Sequence, residues 1–130
     1  RTFSSAASDV YKRQPVMCVP GNPVAAFVCY RLAAAPVLDR MASGIARPLL
    51  RPRVKCGFDH RKSAGRAEYL RVKVTTDAAG EPEMHLHGRK GAGVLSSLTG
   101  ADGLVEIPVE NTGVAVGDYL PFIPFRESGL

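Results

Sequence analysis

Hydrophobic residues recur with helical spacing early in the chain, before the pattern changes to strand-like alternation. The segment "PVAAFVCYRLAAAPVLDRMAS" places apolar residues three and four positions apart, which predicts a helix from Pro23 to about Ser43. Asn22 is a favoured N-cap residue, and a proline suits the first helical position. Pro36 lacks a backbone N–H and predicts a kink, and Gly44 predicts a left-handed cap that ends the helix.

The residues before this helix predict a strand and a tight turn. The run "PVMCV" is short, apolar and rich in valine, as in the last residues of a buried strand. The turn "PGNP", residues 20–23, would then join strand to helix as half of an α/β unit. Two interpretations stay open: an anion site at the helix N-terminus, which Gly21 lets a ligand approach closely, or a purely structural connection.

After residue 44 the hydrophobic pattern alternates. The segments "RAEYLRVKVTTD", "PEMHLHG", "GLVEIPVE" and "DYLPFIPF" predict short strands, with a turn at residues 77–80 after the first of them. Several short strands with glycine-containing turns predict a small β-barrel or sandwich. The two prolines of "ARPLLRPRV" favour a linker or edge strand, so we place a domain boundary at residues 44–48.

Two features of the β region have alternative interpretations. The "PEMHLHG" strand puts Met84 and Leu86 on one face and His85 and His87 on the other, where the histidines form either an exposed face or a metal-binding pair. The glycine-rich stretch 88–104 is either a β-turn that links two strands or, with its hydroxyl side chains, a cradle for a phosphate.

Composition limits the class of protein. The chain has 130 residues, 45% hydrophobic and 22% charged, which is an ordinary globular mixture. The most apolar segment contains Arg31 and Pro36, so we expect no membrane span. Three cysteines lie far apart, and we interpret them as buried reduced thiols of a cytoplasmic protein rather than a zinc site or disulfide framework.

Residues 1–14 differ from the rest of the chain. Their sequence is polar and without a clear period, and "SDVYKRQ" looks like the translated end of a transposase-type sequencing adapter. We expect this segment to be a disordered artefact and the remainder to be a C-terminal fragment. Without its three basic residues and one acidic residue, the formal net charge falls from +5 to +3.

Positive charge is concentrated in residues 47–73. This segment contains nine lysines and arginines but only two acidic residues, Asp59 and Glu68. Such a patch raises the local concentration of anions. It is either a solvated surface, a site for a small oxyanion, or a groove for nucleic acid, although only two aromatic residues are interleaved for base stacking.

Three motifs resemble one family. "VPGNPVAAFVCYRLAAAPVLDRMASG" resembles the end of the central domain of molybdopterin molybdenumtransferases, the MoeA and gephyrin E-domain family. "KSAGRAEYLRVKV" and "GAGVLSSLTGADGLVEIP" resemble its C-terminal β-domain. The resemblance implies an α/β fragment, the strand–turn–helix end of a MogA-like molybdopterin-binding central domain, at residues 15–44. A small all-β barrel-like C-terminal domain follows at residues 45–130.

The same resemblance implies a function. Family members insert molybdenum from molybdate into adenylated molybdopterin with the help of Mg²⁺ or another divalent metal. The resemblance also implies that the full-length protein is cytoplasmic and a homodimer. The residues that match the family's binding positions, and could bind substrate, are Pro20, Gly21, Asn22, Pro23, Arg66 and Ser97. An arginine fork, a hydroxyl and a helix N-terminus suit a small dianion.

The resemblance assigns no catalytic side chain and no metal ligand in this chain. The family's upstream acidic and lysine residues are absent, so we expect the fragment to be inactive alone, with neither membrane nor nucleic acid as a partner. The alternatives are an anion- or nucleic-acid-binding β-barrel module without catalysis, and a peptide-binding module like that of the gephyrin branch.

Overall fold

A computed structural model describes residues 16–45, 48–88 and 96–126, the side chains of 96 and 97 excepted. The expected artefact at residues 1–14 lies outside the described residues.

The predicted helix forms with the predicted cap. It consists of α1 (Pro23–Cys29), a π-helical turn (Tyr30–Ala34) and α2 (Ala35–Ser43). The side-chain oxygen of Asn22 accepts hydrogen bonds from the backbone N–H groups of Val24 at 3.0 Å and Ala25 at 3.3 Å. Because Pro23 has no N–H, the helix has three N-terminal donors without an intrahelical partner, and two of them are thereby paired.

The irregularity expected at Pro36 takes the form of the π-helical turn directly before it. The N–H of Ala35 bonds to the carbonyl of Tyr30, five residues back instead of four. Because proline supplies no N–H, widening the preceding turn lets neighbouring groups still pair. The helix ends as predicted at Gly44, whose φ of 73° is left-handed and whose N–H bonds to the carbonyl of Arg40 at 2.9 Å.

The strand predicted just before the helix is not formed. Residues 16–20 have no regular secondary structure, and all five are exposed. A strand is stable only when its backbone groups pair with a neighbour, and no described strand pairs with these residues.

The β region closes into the predicted barrel. The described residues form seven strands: β1 (Arg53–Cys56), β2 (His60–Arg61), β3 (Glu68–Thr76), β4 (Pro82–Leu86), β5 (Gly103–Ile107), β6 (Gly113–Val114) and β7 (Tyr119–Pro124). Five of them form a closed barrel in the order β1-β4-β3-β5-β7, and β2 pairs with β6 separately. The pairing is antiparallel except for β1 with β4, so the barrel is mixed.

The barrel interior contains the alternating apolar residues. Its buried cluster consists of Cys56, Phe58, Val72, Met84, Val105, Ile107, Val114, Leu120 and Phe122. Met84 is fully buried, whereas Leu86, expected on the same face of the strand, is 44% exposed. Leu86 is the last residue of β4, where the chain leaves the barrel.

The glycine-rich connection is not the expected β-turn. Strands β4 and β5 both flank β3, so the connection between them must cross β3. A short helix, α3 (Ser96–Thr99), lies within it. A tight turn can join only neighbouring antiparallel strands, and these two strands are not neighbours.

The helical segment contacts the barrel where β7 ends. Arg31 Nη2 donates to the carbonyl of Pro124 at 2.7 Å, and the rings of Phe27 and Phe125 meet edge to face at 5.0 Å. Leu104 and Ile123, paired across β5 and β7, are fully buried although they lie outside the interior cluster.

All three cysteines are free, but only one is a buried thiol as expected. Cys56 lies in the barrel core, where burial raises its pKa to about 11. Cys29 is partly buried and Cys18 is exposed, because segment 16–20 pairs with no strand in the described part of the chain. In the described part of the chain, no helix is long and apolar enough to cross a membrane.

Candidate functional site

Arg66 lies in an exposed bend two residues before β3 begins. Glu68, the carboxylate closest to it in sequence, pairs instead with His60, whose Nε2 lies 2.8 Å from Glu68 Oε2. Within the described ranges, the Arg66 side chain makes no hydrogen bond or ion pair. The guanidinium is therefore available to an anion from solvent.

The turn that carries Arg66 is held by the loop at residues 108–112. The N–H of Gly65 bonds to the carbonyl of Val109, and the N–H of Lys62 bonds to that of Thr112, each at 3.1 Å. Gly65 has a φ of 106°, which side-chain-bearing residues rarely adopt. The glycine before Arg66 is thus required by the turn itself.

The PGNP corner presents a helix N-terminus to solvent. Pro20, Gly21 and Pro23 are exposed, and Asn22 is partly exposed with its oxygen used by the helix cap. The amide nitrogen of Asn22 remains as its donor for a ligand. No atom lies within 4 Å of where a Cβ on Gly21 would be, so packing does not require glycine there.

Ser97 lies in α3, and its side chain is outside the described residues. Residues 99–102, the last residue of α3 and the three that follow it, line a cleft with Lys73 and Val74 of β3. Lys73 is seven residues beyond Arg66, which corresponds to roughly 23 Å of extended chain. The structure thus separates Arg66 from residues 99–102 and does not bring the sequence-predicted site residues into one described cluster.

Two cations of the basic segment, Arg51 and Lys55, are paired with carboxylates. Arg51 Nη1 pairs with Glu106 Oε2 at 2.6 Å, and Lys55 pairs with Asp77 and, at 3.5 Å, with Glu83. The hydrogen bond from Lys55 holds the pKa of the Asp77 carboxyl below its ordinary value, and the same bond raises the pKa of Lys55. The segment is therefore less of a continuous positive patch than its composition predicts.

The two histidines of β4 have different surroundings. His85 Nε2 lies 3.0 Å from Glu83 Oε1, whereas the ring of His87 lies against Gly100, where a Cβ would meet it at 2.6 Å. Among the residues that the structure describes, no group of three or more His, Cys, Asp or Glu side chains could hold a metal ion.

Sequence reasoning missed Lys62 and the cleft beside α3. Lys62 is only 9% exposed, which its position in a run of charged residues does not reveal. The cleft has a volume of about 550 Å³ and includes Asp102, Phe122 and Arg126, residues far apart in sequence. No sequence signal links them, because barrel closure brings them together.

Together these elements define a class of domain: a small closed mixed β-barrel with a helical segment docked at the end of its last strand. A protein-family model of the MoeA C-terminal region (domain IV) matches residues 53–125, more than half of the 130-residue chain. The chain therefore belongs to the MoeA family, which acts in molybdenum cofactor biosynthesis.

Solved structures agree with this assignment. A molybdopterin biosynthesis MoeA protein from Pyrococcus horikoshii matches 81% of this chain with a TM-score of 0.66 and 24% identity, a likeness that shows the fold alone. A molybdenum cofactor biosynthesis protein from Pyrococcus furiosus matches 81% with a TM-score of 0.64 and 25% identity. The chain spans 26% of the first protein and 36% of the second.

Proposed function

We propose that this chain is the C-terminal part of a molybdopterin molybdenumtransferase, which transfers molybdenum from molybdate to adenylated molybdopterin. The observation that carries the proposal is the unpartnered, exposed Arg66 within a domain of the MoeA family. Arginine presents several N–H donors in a planar fork that suits a tetrahedral oxyanion. In the proposed site, Arg66 binds and orients molybdate.

The PGNP corner supplies the second part of the proposed site. A helix N-terminus favours an anion through its partial positive charge. The N–H groups of Val24 and Ala25 are already bonded to Asn22, so the side-chain amide of Asn22 would supply the directed donor. Residues 20–23 would contact the anionic part of the substrate, and Ser97 would add a hydroxyl donor. If the protein is a homodimer, as we expect, the separate parts of the site can be contributed by different subunits.

The proposed chemistry depends on binding and charge stabilisation. Oriented donors lower the cost of bringing two anionic substrates together and stabilise charge that develops during transfer. The described residues do not fit a divalent metal, because they contain no cluster of three suitable ligands. We therefore assign no step of the reaction to a metal held by this chain, and we expect the chain alone to be inactive.

Calorimetric measurement of molybdate binding to the full-length parent protein tests the role of Arg66. Arg66→Ala should weaken binding by about 1.5–3 kcal/mol, the usual contribution of a charged hydrogen bond. Arg66→Lys, which keeps the charge but loses the fork, should lie between Ala and wild type. The melting temperature should change little, because the side chain is exposed and contacts no described carboxylate. If Arg66→Ala binds molybdate with unchanged affinity, Arg66 does not belong to the molybdate site.

A further inference from the structure

Lys62 is a buried lysine without a carboxylate partner among the described residues. Its side chain is only 9% exposed, and its ammonium donates to three backbone carbonyls: Asn111 at 2.6 Å, Ser63 at 3.1 Å and Val109 at 3.5 Å. Lysine is rarely buried, because its charge loses hydration. Three directed hydrogen bonds replace the lost water and use the full donor capacity of the ammonium.

These carbonyls belong to two different loops. Ser63 lies in the turn that carries Arg66, whereas Val109 and Asn111 lie in the loop between β5 and β6. Two backbone hydrogen bonds also join the loops, as described above. The side chains of residues 63–66 are exposed, so these hydrogen bonds take the place of apolar contacts in holding the turn.

The backbone of Arg66 is consequently held on both sides. Gly65, just before it, is bonded to Val109, and Glu68, two residues after it, begins β3 and pairs with Ile107 of β5. A side chain on a fixed backbone loses less conformational freedom when it binds a ligand. Lys62 therefore influences the position of the Arg66 side chain without contacting the ligand itself.

We propose that Lys62 is a positioning residue for Arg66: its ammonium clamps two loops together and thereby holds the guanidinium ready for a small oxyanion such as molybdate. This inference rests on the proposed function, since it needs Arg66 to bind the oxyanion. It adds Lys62 to the residues of the proposed site, as one that acts on Arg66 through the backbone of the turn.

The test uses Lys62→Met, which keeps the approximate length of the side chain and removes all three donors. In the full-length parent protein, well below its unfolding temperature, the Kd for molybdate should rise about tenfold. In the 130-residue chain, amide exchange at Gly65 should become at least about tenfold faster, because its bond to Val109 opens more often. A merely structural role would lower the melting temperature but leave the Kd of the folded protein unchanged.

The matched control is Arg61→Met, which removes an exposed positive charge from the adjacent position. It should change the Kd by less than about twofold, because an exposed charge contributes little. Lys62→Arg, which keeps charge and donors, should recover part of the lost affinity. If Lys62→Met does not fold, Lys62→Gln, a shorter neutral donor, takes its place and should also weaken binding.

The outcomes separate this inference from the proposed function. If Arg66→Ala weakens molybdate binding but Lys62→Met does not, the positioning role is wrong and the proposed function stands. If Arg61→Met and Lys62→Met weaken binding equally, charge alone matters and the clamp is wrong. If Arg66→Ala has no effect, both the oxyanion site and the role of Lys62 fail.

Discussion

The lysines of the basic segment differ in what their ammonium groups contact. Lys55 lies among carboxylates, pairing with Asp77 and Glu83, while Lys62 donates only to carbonyls among the described residues. The first arrangement stabilises the barrel through charge at its surface. The second joins two loops through hydrogen bonds that do not depend on the ionisation of an acid.

This difference predicts how stability depends on pH. The pKa of Asp77 is lowered by its bond to Lys55, so the pair's contribution is complete above the ordinary value of 3.8 and is lost as pH falls through the lowered pKa. The pKa of Lys55 is raised, so on the alkaline side the contribution is lost only as pH rises through a value above 10.5.

Asp77→Asn should therefore be less stable than wild type near pH 7 and approach wild type as pH falls below about 3.8. Asparagine keeps one side-chain oxygen for the N–H groups of Ala79 and Glu81, so the turn is preserved, while the charge and the oxygen that accepts the hydrogen bond from Lys55 are lost together. Urea unfolding at several pH values measures the difference. A deficit that is the same at pH 3 and pH 7 would show that the turn, and not the ion pair, is responsible.

At the scale of elements, substitutions of Asn22 can distinguish the stability of the helix that begins at Pro23 from the proposed anion binding at its N-terminus. Asn22 caps the helix, and it belongs to the corner proposed to bind an anion. Removing the cap destabilises a helix, whereas placing a negative charge at the same position keeps the cap and repels an anion.

Asn22→Ala should lower the free energy of unfolding by about 1 kcal/mol. Asn22→Asp should leave that free energy nearly unchanged but weaken molybdate binding by the full-length parent protein. Denaturation followed by circular dichroism and calorimetric titration give the two values. If Asn22→Asp binds molybdate like wild type, the corner is a structural connection only.

Local signals explain which elements could be predicted from sequence. The cap at Asn22, the end at Gly44 and the alternating strands each depend on residues close together in the chain, and all three were predicted correctly. The crossing of β3 by the 88–104 connection depends on strand order, which local patterning does not contain. The burial of Lys62 likewise depends on a loop more than forty residues away, at Asn111.

At the scale of the whole molecule, the barrel and the helical segment have different amounts of buried surface. Ten of the described strand residues are buried apolar residues, whereas Val24 is the buried residue of the helical segment. The segment contacts the barrel through Arg31 and Phe27, and its remaining apolar residues include several that are exposed, among them Leu38 and Met41. The helical part should therefore open before the barrel does.

Limited proteolysis tests this order of stability. Cleavage should occur near residues 44–48, the predicted domain boundary, and should leave a resistant C-terminal piece that contains the barrel. That piece should melt at a lower temperature than the intact chain, because it loses the bond from Arg31 to Pro124 and the contact between Phe27 and Phe125. Phe27→Ala in the intact chain, which removes only the ring contact, should accelerate the same cleavage. Survival of the N-terminal piece, or cleavage within the barrel at the same rate, would contradict the division into two parts.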